Sequence, residues 1–193
     1  MKDRTDFEDD FEITDLQKMR NRWVLWREFD LIETRKTTAE EKKTGVDRFD
    51  FEVTTSDKTT HRFEFKNWDN VPQDHVVLET DHEVRNNKKD GWIWYGPDHW
   101  DWLVGVWHNQ RTYSYVILDG EALRAWWQEV SIDPEKRAFY RKKKNEQTWK
   151  NGRPRNRSAY VKVPIDDLPD RVVKCHRRQT NIDNWGDSRG ITA

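Results

Sequence analysis

Between Gly45 and Lys66 the chain alternates in a way that leaves few folds open to it. The run Gly45-Val46-Asp47-Arg48-Phe49-Asp50-Phe51-Glu52-Val53 leads through a polar stretch into His61-Arg62-Phe63-Glu64-Phe65-Lys66. Alternation through Phe63 and Phe65 predicts a half-buried strand, with Glu64 and Lys66 projecting together from its other face. A turn centred near Ser56 folds the two runs into a hairpin and brings Asp47 roughly opposite Glu64. Two carboxylates and an ammonium converging at one end of a sheet can bind a divalent cation and activate a water. That is the chemistry of phosphodiester hydrolysis. The ordinary alternative is a solvated strand face, since 37% of the residues are Asp, Glu, Lys or Arg.

Asp50 competes with Asp47 for the first carboxylate. Strict alternation puts Asp50, Glu52, Glu64 and Lys66 on the polar face, whereas Asp47 falls in phase with Phe49 and Phe51. Asp47 is favoured because it precedes the regular strand, where a kink can re-aim it.

Whether such a polar chain folds at all is a question for its aromatic residues. Only 34% of the 193 residues are hydrophobic, and the mean hydropathy of −1.18 by itself leans toward disorder. Against that stand 12 Trp, 8 Phe and 5 Tyr. Each large aromatic ring buries about 150–250 Å², so a small aromatic core under a polar surface is expected. The length suits one domain.

The order of segments predicts an α+β or α/β domain with a central mixed sheet flanked by helices. An acidic, poorly ordered lead-in covers residues 1–12, the folded domain 13–178, and a polar, disordered tail 179–193. A helix starts near Leu16 and carries Met19, Trp23 and Trp26. A charged connection follows over 34–44, then strands at 48–53 and 60–66, and a buried strand at 75–79. Residues 81–90 read as polar loop, and 98–102 as a short helical turn leading into a strand at 103–108. A further strand is expected at 113–118. A helix from Asp119 or Gly120 through Leu123, Trp126 and Trp127 persists to about Lys144. A late strand at 160–163 ends in a turn at 164–168.

These pieces resemble a known family. Gly45-Val46-Asp47-Arg48 followed by Glu64-Phe65-Lys66 resembles the Asp…Glu-x-Lys core of the PD-(D/E)XK nuclease superfamily, whose fold is that of restriction endonucleases. His75–Glu79, Lys89–Ile93, Trp100–Val104, Leu123–Trp126 and Val163–Ile165 look, in that order, like a subgroup found in phages and bacteria. The resemblance spans roughly Leu16 to Leu168. It departs at Asp101-Trp102, where the subgroup has a tyrosine, and at Asn67-Trp68-Asp69, where it has basic residues. By this resemblance Asp47 and Glu64 would hold Mg²⁺ or Mn²⁺, with the Phe65 carbonyl as a third ligand. Lys66 would orient the attacking water and offset developing charge. The implied activity is hydrolysis of nucleic acid, DNA being the expected substrate. A homodimer would suit cutting of both strands.

Other residues carry two readings each. Glu79 is an auxiliary metal ligand, a positioner of Lys66, or a strand-end acid facing water. His75 reads as a packed strand histidine rather than a general base, and Asp101 as the pin of a turn. Trp92, Trp94, Trp100, Trp102 and Trp107 read as core, with base stacking or a sugar-binding groove as rivals. From Glu135 to Arg178 fifteen Lys/Arg stand against five Asp/Glu, while Met1 to Asp15 holds seven acids and two bases. Arg141, Lys142, Lys143, Lys144, Arg153, Arg155 and Arg157 are therefore candidates for phosphate contact; a solvated helix end is the alternative. Two rival functions use the same features: a nucleic-acid-binding or assembly protein without turnover, and a Trp-lined carbohydrate- or protein-binding module.

Cys175 is the one cysteine, which excludes an intrachain disulfide and a cysteine zinc cluster. No phosphate-cradling Gly-rich loop, zinc-type His or Cys spacing, or G-x-S-x-G serine context occurs. No apolar run approaches the roughly 18 residues of a membrane span, and no signal peptide is evident. An intracellular, cytoplasmic protein is the expectation, with a phage as one origin that the resemblance implies.

Overall fold

The structure is a computed structural model and describes residues 24–38, 40, 49–68, 71–84, 87–95, 99–108, 113–140, 143–148 and 154–179. Strands β1 (Leu31–Lys36), β2 (Phe51–Thr55) and β3 (Thr60–Asn67) form an antiparallel meander. A second set, β4 (His75–Val84) and β5 (Asn87–Asp90), makes a hairpin, and a 3₁₀ turn follows at Trp92–Trp94. The chain then returns as β6 (Trp102–His108), which lies parallel to β3, and continues into the antiparallel β7 (Tyr113–Asp119). Helices α1 (Gly120–Ile132) and α2 (Pro134–Phe139) precede β8 (Lys143–Thr148), β9 (Pro154–Pro164) and β10 (Val173–Gln179).

The result is a mixed α+β fold built on two sheets. The central six-stranded sheet has the order β1-β2-β3-β6-β7-β10, and a four-stranded sheet has the order β5-β4-β9-β8. The expected central mixed sheet is present, but helices alone do not flank it. One face packs on the second sheet, through Leu78, Val161 and Val163, and on α1, through Leu123, Trp126 and Trp127. The other face, with Phe51, Val53, Phe63 and Val104, is covered by Val24, Leu25 and Phe29. Only residues 24–28 of the expected N-terminal helix are described, and they are helical.

Glu28 ties that N-terminal segment to the sheet. Its carboxylate accepts from the Tyr115 hydroxyl and lies 3.1 Å from Arg177 Nε on β10. Burial would push the Glu28 carboxyl up, but the hydrogen bonds from Tyr115 and Arg177 and the charges of Arg177 and Arg27 outweigh it and hold it below its ordinary value.

Several elements depart from the sequence reading for physical reasons. The connection expected over 34–44 begins as an edge strand: Leu-Ile-Glu-Thr-Arg-Lys lacks apolar alternation, and pairing with β2 supplies its order. The loop expected at 81–90 is the tip of the β4–β5 hairpin. The long helix stops at Asp133, because Pro134 has no N–H to continue it and the Asp133 carboxylate caps the N–H groups of Glu135 and Lys136. Residues expected to be helical near Lys144 instead form β8 on the outside of β9. The late strand runs from Pro154 rather than Tyr160, and β10, absent from the expectation, pairs with β7. The lead-in at 1–12, the tail beyond Gln179 and Asp47 lie outside the described residues.

Candidate functional site

The β2–β3 register settles which residues meet. Phe51 faces Phe63 and Thr54 faces Thr60, so the turn is centred at Asp57 rather than Ser56. Asp47, expected across from Glu64, lies outside the described residues. Asp50 is the acid at the mouth of the hairpin.

It gets there through an irregularity. The Asp50 N–H donates to the Phe63 carbonyl (2.8 Å), although Phe63 already pairs with Phe51. One extra residue is taken up at the strand entrance, as in a β-bulge, and alternation slips there. Phe49 consequently turns into the core shared with Trp92 and Trp100. The Asp50 carboxylate stays at the sheet edge, where Oδ2 accepts the Phe65 N–H at 2.7 Å. The irregularity at Phe49–Asp50 is what leaves the Asp50 carboxylate in reach of β3.

On β3 the odd residues Phe63 and Phe65 face the core around Phe29 and Phe51. Glu64 and Lys66 point the other way and lie beside Leu103 and Gly105 of β6. That face is not a solvated one. The Glu64 side chain is 13% exposed and that of Lys66 28%, and Lys66 Nζ lies 2.5 Å from Glu64 Oε1. Burial would lower the pKa of the Lys66 ammonium; the charges of Glu64, then Asp50, the Glu64 hydrogen bond and Glu79 together raise it above its ordinary value. Lys66 therefore stays a cation throughout the neutral range. Glu79, on β4 of the second sheet, belongs to the same field, so β4 brings a third acid near the cluster.

Two tryptophans wall Lys66, and two glycines make room for them. Gly105 is its neighbour on β6, and a Cβ there would lie 1.9 Å from Cζ3 of Trp68. Only a bare backbone lets the buried Trp68 ring fold over the sheet at this point. Trp92 presents its ring 5.6 Å from Lys66 Nζ. It is set there by a 3₁₀ turn that follows Gly91, whose own Cβ would lie 2.1 Å from the Glu79 carbonyl oxygen. Lys66 thus sits among aromatic rings on one side and carboxylates on the other.

As a metal site the donors are oxygen atoms only. Among the described residues no group of three or more His, Cys, Asp or Glu side chains is arranged to hold an ion. Asp50 and Glu64 both act on Lys66 as carboxylates, and the Phe65 carbonyl would be a further oxygen donor. The N–H and C=O of a strand residue point the same way, and the Phe65 N–H points at Asp50. One or two carboxylates with waters is what Mg²⁺ ordinarily takes from a protein. The residues present fit a magnesium-type ion.

The remaining candidates scatter. Trp92, Trp100 and Trp107 are buried, Trp102 is half-buried and Trp94 is 40% exposed, so the tryptophan block is mainly core. His75 is not packed inside; its Nδ1 lies 2.6 Å from Asp74 Oδ1 at the surface. Asp101 ties distant segments together, its Oδ2 accepting the Arg62 N–H of β3 (2.7 Å) and its carbonyl the Gly120 N–H at the start of α1 (2.7 Å). Lys143 and Lys144 lie on β8, and Arg155 and Arg157 on β9, all in the second sheet. Arg141, Lys142 and Arg153 lie outside the described residues. A cleft of about 480 Å³ between α1, α2 and the turn near Pro169 has Trp126, Phe139 and Tyr140 in its wall, apart from the carboxylate cluster. Its charged rim is balanced by Glu129, Glu135, Lys136 and Arg171.

Compared with protein-family models, with characterised proteins and with solved structures, the chain matches none. No helix among the described residues is long and apolar enough to cross a membrane.

Proposed function

We propose that this chain is a metal-dependent nuclease that hydrolyses phosphodiester bonds, with Asp50, Glu64 and Lys66 as its working residues. The observation that carries the reading is the convergence of Asp50 on the Glu64-Phe65-Lys66 segment: one carboxylate bonded to Phe65 N–H, another to Lys66, on adjoining strands. The meander β1-β2-β3 with β6 returning parallel to β3 also agrees with the PD-(D/E)XK resemblance. The crossover between β3 and β6 is made of β4, β5 and a 3₁₀ turn.

Asp50, Glu64 and the Phe65 carbonyl would hold Mg²⁺ or Mn²⁺. Bound there, such an ion lowers the pKa of a coordinated water and neutralises a phosphate oxygen. Lys66 orients the attacking water and stabilises the charge that builds on the phosphate, in a pocket that Trp68 and Trp92 keep poor in water. Glu79 adds to the negative charge that favours the Lys66 cation. DNA is the proposed substrate.

The test is titration of Mg²⁺ and Mn²⁺ into wild type and into Asp47→Asn, Asp50→Asn and Glu64→Gln, with digests of labelled single- and double-stranded DNA. Loss of metal binding and of cutting in Asp50→Asn and Glu64→Gln is expected. Metal-dependent cutting that survives Glu64→Gln, or no metal binding in wild type, would overturn the assignment.

A further inference from the structure

The cleft beside α2 shares no residue with the carboxylate cluster, and its volume of about 480 Å³ is of the size that takes a small ligand. Asp133 and Pro134 break the helix between α1 and α2, and the cleft lies in the corner so formed. Three aromatic rings build its wall. Trp126 of α1 meets Tyr140 with ring centres 5.9 Å apart at 71°, and Phe139, at the end of α2, meets Tyr140 at 5.4 Å and 83°. Both pairs are edge to face, so Tyr140 holds its two neighbours in place. Phe139 is 75% exposed, which leaves one side of the set open to a ligand.

The polar groups of the cleft carry both signs. Glu129 and Glu135 stand against Lys136 and Arg171, so an anion entering there meets two carboxylates and a cation meets an ammonium and a guanidinium. The rim favours a ligand without charge. Arg171 Nη2 lies 3.7 Å from Glu129 Oε1, with the two side chains 58% and 61% exposed, and a surface pair of that kind holds loosely. A hydroxyl can donate to the carboxylate and accept from the guanidinium at once, without opening the pair. Tyr140 adds a third polar group. Its hydroxyl donates to Asp167 Oδ2 at 3.3 Å and keeps its lone pairs for an incoming O–H. Burial, then the charge of Asp167, pushes Tyr140 up to about 12, so it stays protonated at neutral pH. Behind the wall, Asp133 caps α2 and faces Lys136 at 3.8 Å.

A flat base would want parallel rings to slide between, and these rings stand edge to face. A pyranose sugar suits the arrangement better: it has an apolar C–H face for one ring, and hydroxyls round its edge that both donate and accept. We propose that the cleft between α1, α2 and the turn near Pro169 binds a neutral oligosaccharide, one sugar ring lying on Phe139 and its hydroxyls reaching Glu129, Arg171 and Tyr140. The site is independent of the nuclease reading, since it uses none of Asp50, Glu64 and Lys66.

The test is titration of cellotriose, maltotriose and N-acetylchitotriose, each to millimolar concentration, into the full chain, following the assigned indole N–H of Trp126 by NMR. Choline, inorganic phosphate and adenosine are titrated beside them as a cation, an anion and a flat base. A saturable shift with at least one trisaccharide, and with none of the other three compounds, is expected. Phe139 is exposed, so Phe139→Ala should keep the fold, which its Tm checks, while weakening the sugar about tenfold. Tyr140→Phe and Glu129→Gln each remove one hydrogen-bonding group and should weaken it about threefold. Ile132→Ala, at a residue of α1 that is 77% exposed and outside the cleft, should bind as wild type. No shift with any trisaccharide overturns the site. So does saturation by choline, phosphate or adenosine in place of sugar, unchanged affinity in Phe139→Ala, or an equal loss in Ile132→Ala.

Discussion

Replacing Lys66 by Met should weaken the metal-free fold while tightening metal binding, and the two effects come from one contact. Lys66 Nζ sits 2.5 Å from Glu64 Oε1. At an effective dielectric near 20 that separation gives an attraction of about 6–7 kcal/mol. Desolvation of both groups removes most of it, leaving about 1.5–3 kcal/mol for a hydrogen bond between charged partners. An incoming cation must displace this ammonium from the carboxylate. Methionine keeps the length and the contact with Trp92 but offers no charge, so Mg²⁺ affinity should rise by about tenfold to a hundredfold. Without metal, Glu64 loses the cation that it is bonded to and that Asp50 and Glu79 also face, at a cost of about 3 kcal/mol. For a domain of this size that lowers Tm by roughly 6–12 °C, and saturating Mg²⁺ should restore much of it by mass action. Calorimetric titration gives the affinity, and melting in EDTA and in Mg²⁺ gives the stability. Activity should vanish even though the metal binds more tightly. Equal or weaker Mg²⁺ binding in Lys66→Met would refute the reasoning, since Glu64 would then not be shared between ammonium and metal.

Further outcomes follow from the same structure. Gly105→Ala puts a Cβ against the buried Trp68 ring and should cost about 1–3 kcal/mol by overpacking, read as a lower Tm with a changed tryptophan spectrum. Because the Glu28 carboxyl is held below its ordinary value, its contribution is present above the unfolded pKa near 4.3. It is lost as pH falls through the folded value, so Glu28→Gln should flatten the acid limb of a stability-against-pH curve. For Lys66 the sign is opposite. Its raised pKa gives stability that is complete below the unfolded value near 10.4 and lost as pH rises through the folded value, and Lys66→Met should abolish that alkaline limb. Burial, followed by the charge of Glu28, pushes the Cys175 thiol up to about 11. At pH 8 its alkylation should be about a hundredfold slower than that of free cysteine, and rapid labelling of the native protein would contradict that placement.

The legible part of the sequence was the part governed by local rules. Alternation at Phe63 and Phe65 placed β3, the apolar run after His75 placed the start of β4, and Leu123, Trp126 and Trp127 placed the buried side of α1. What escaped were strands made largely of polar residues, β1, β5, β8, β10 and most of β9. Their order comes from hydrogen bonds to a neighbour, and no apolar periodicity marks them. The cleft beside α2 escaped for a similar reason. Trp126, Tyr140 and Pro169 meet there from separate elements and carry no spacing signal, while the conspicuous run Arg141-Lys142-Lys143-Lys144 drew notice by density alone.

By itself the sequence determined that an acid hairpin with Glu64 and Lys66 on one face would form, and that aromatic rings would supply the core of so polar a chain. Side-chain alternation and ring size are properties of short segments. Only the tertiary structure puts the Asp50 carboxylate on the Phe65 N–H, because an extra residue at Phe49–Asp50 breaks the alternation there. Only the tertiary structure, too, decided that the face of Glu64 and Lys66 is half-buried and not a solvated one. The second sheet and Trp92 come to rest on that face from residues distant in the chain, and it is their burial that binds the Lys66 ammonium to its carboxylates.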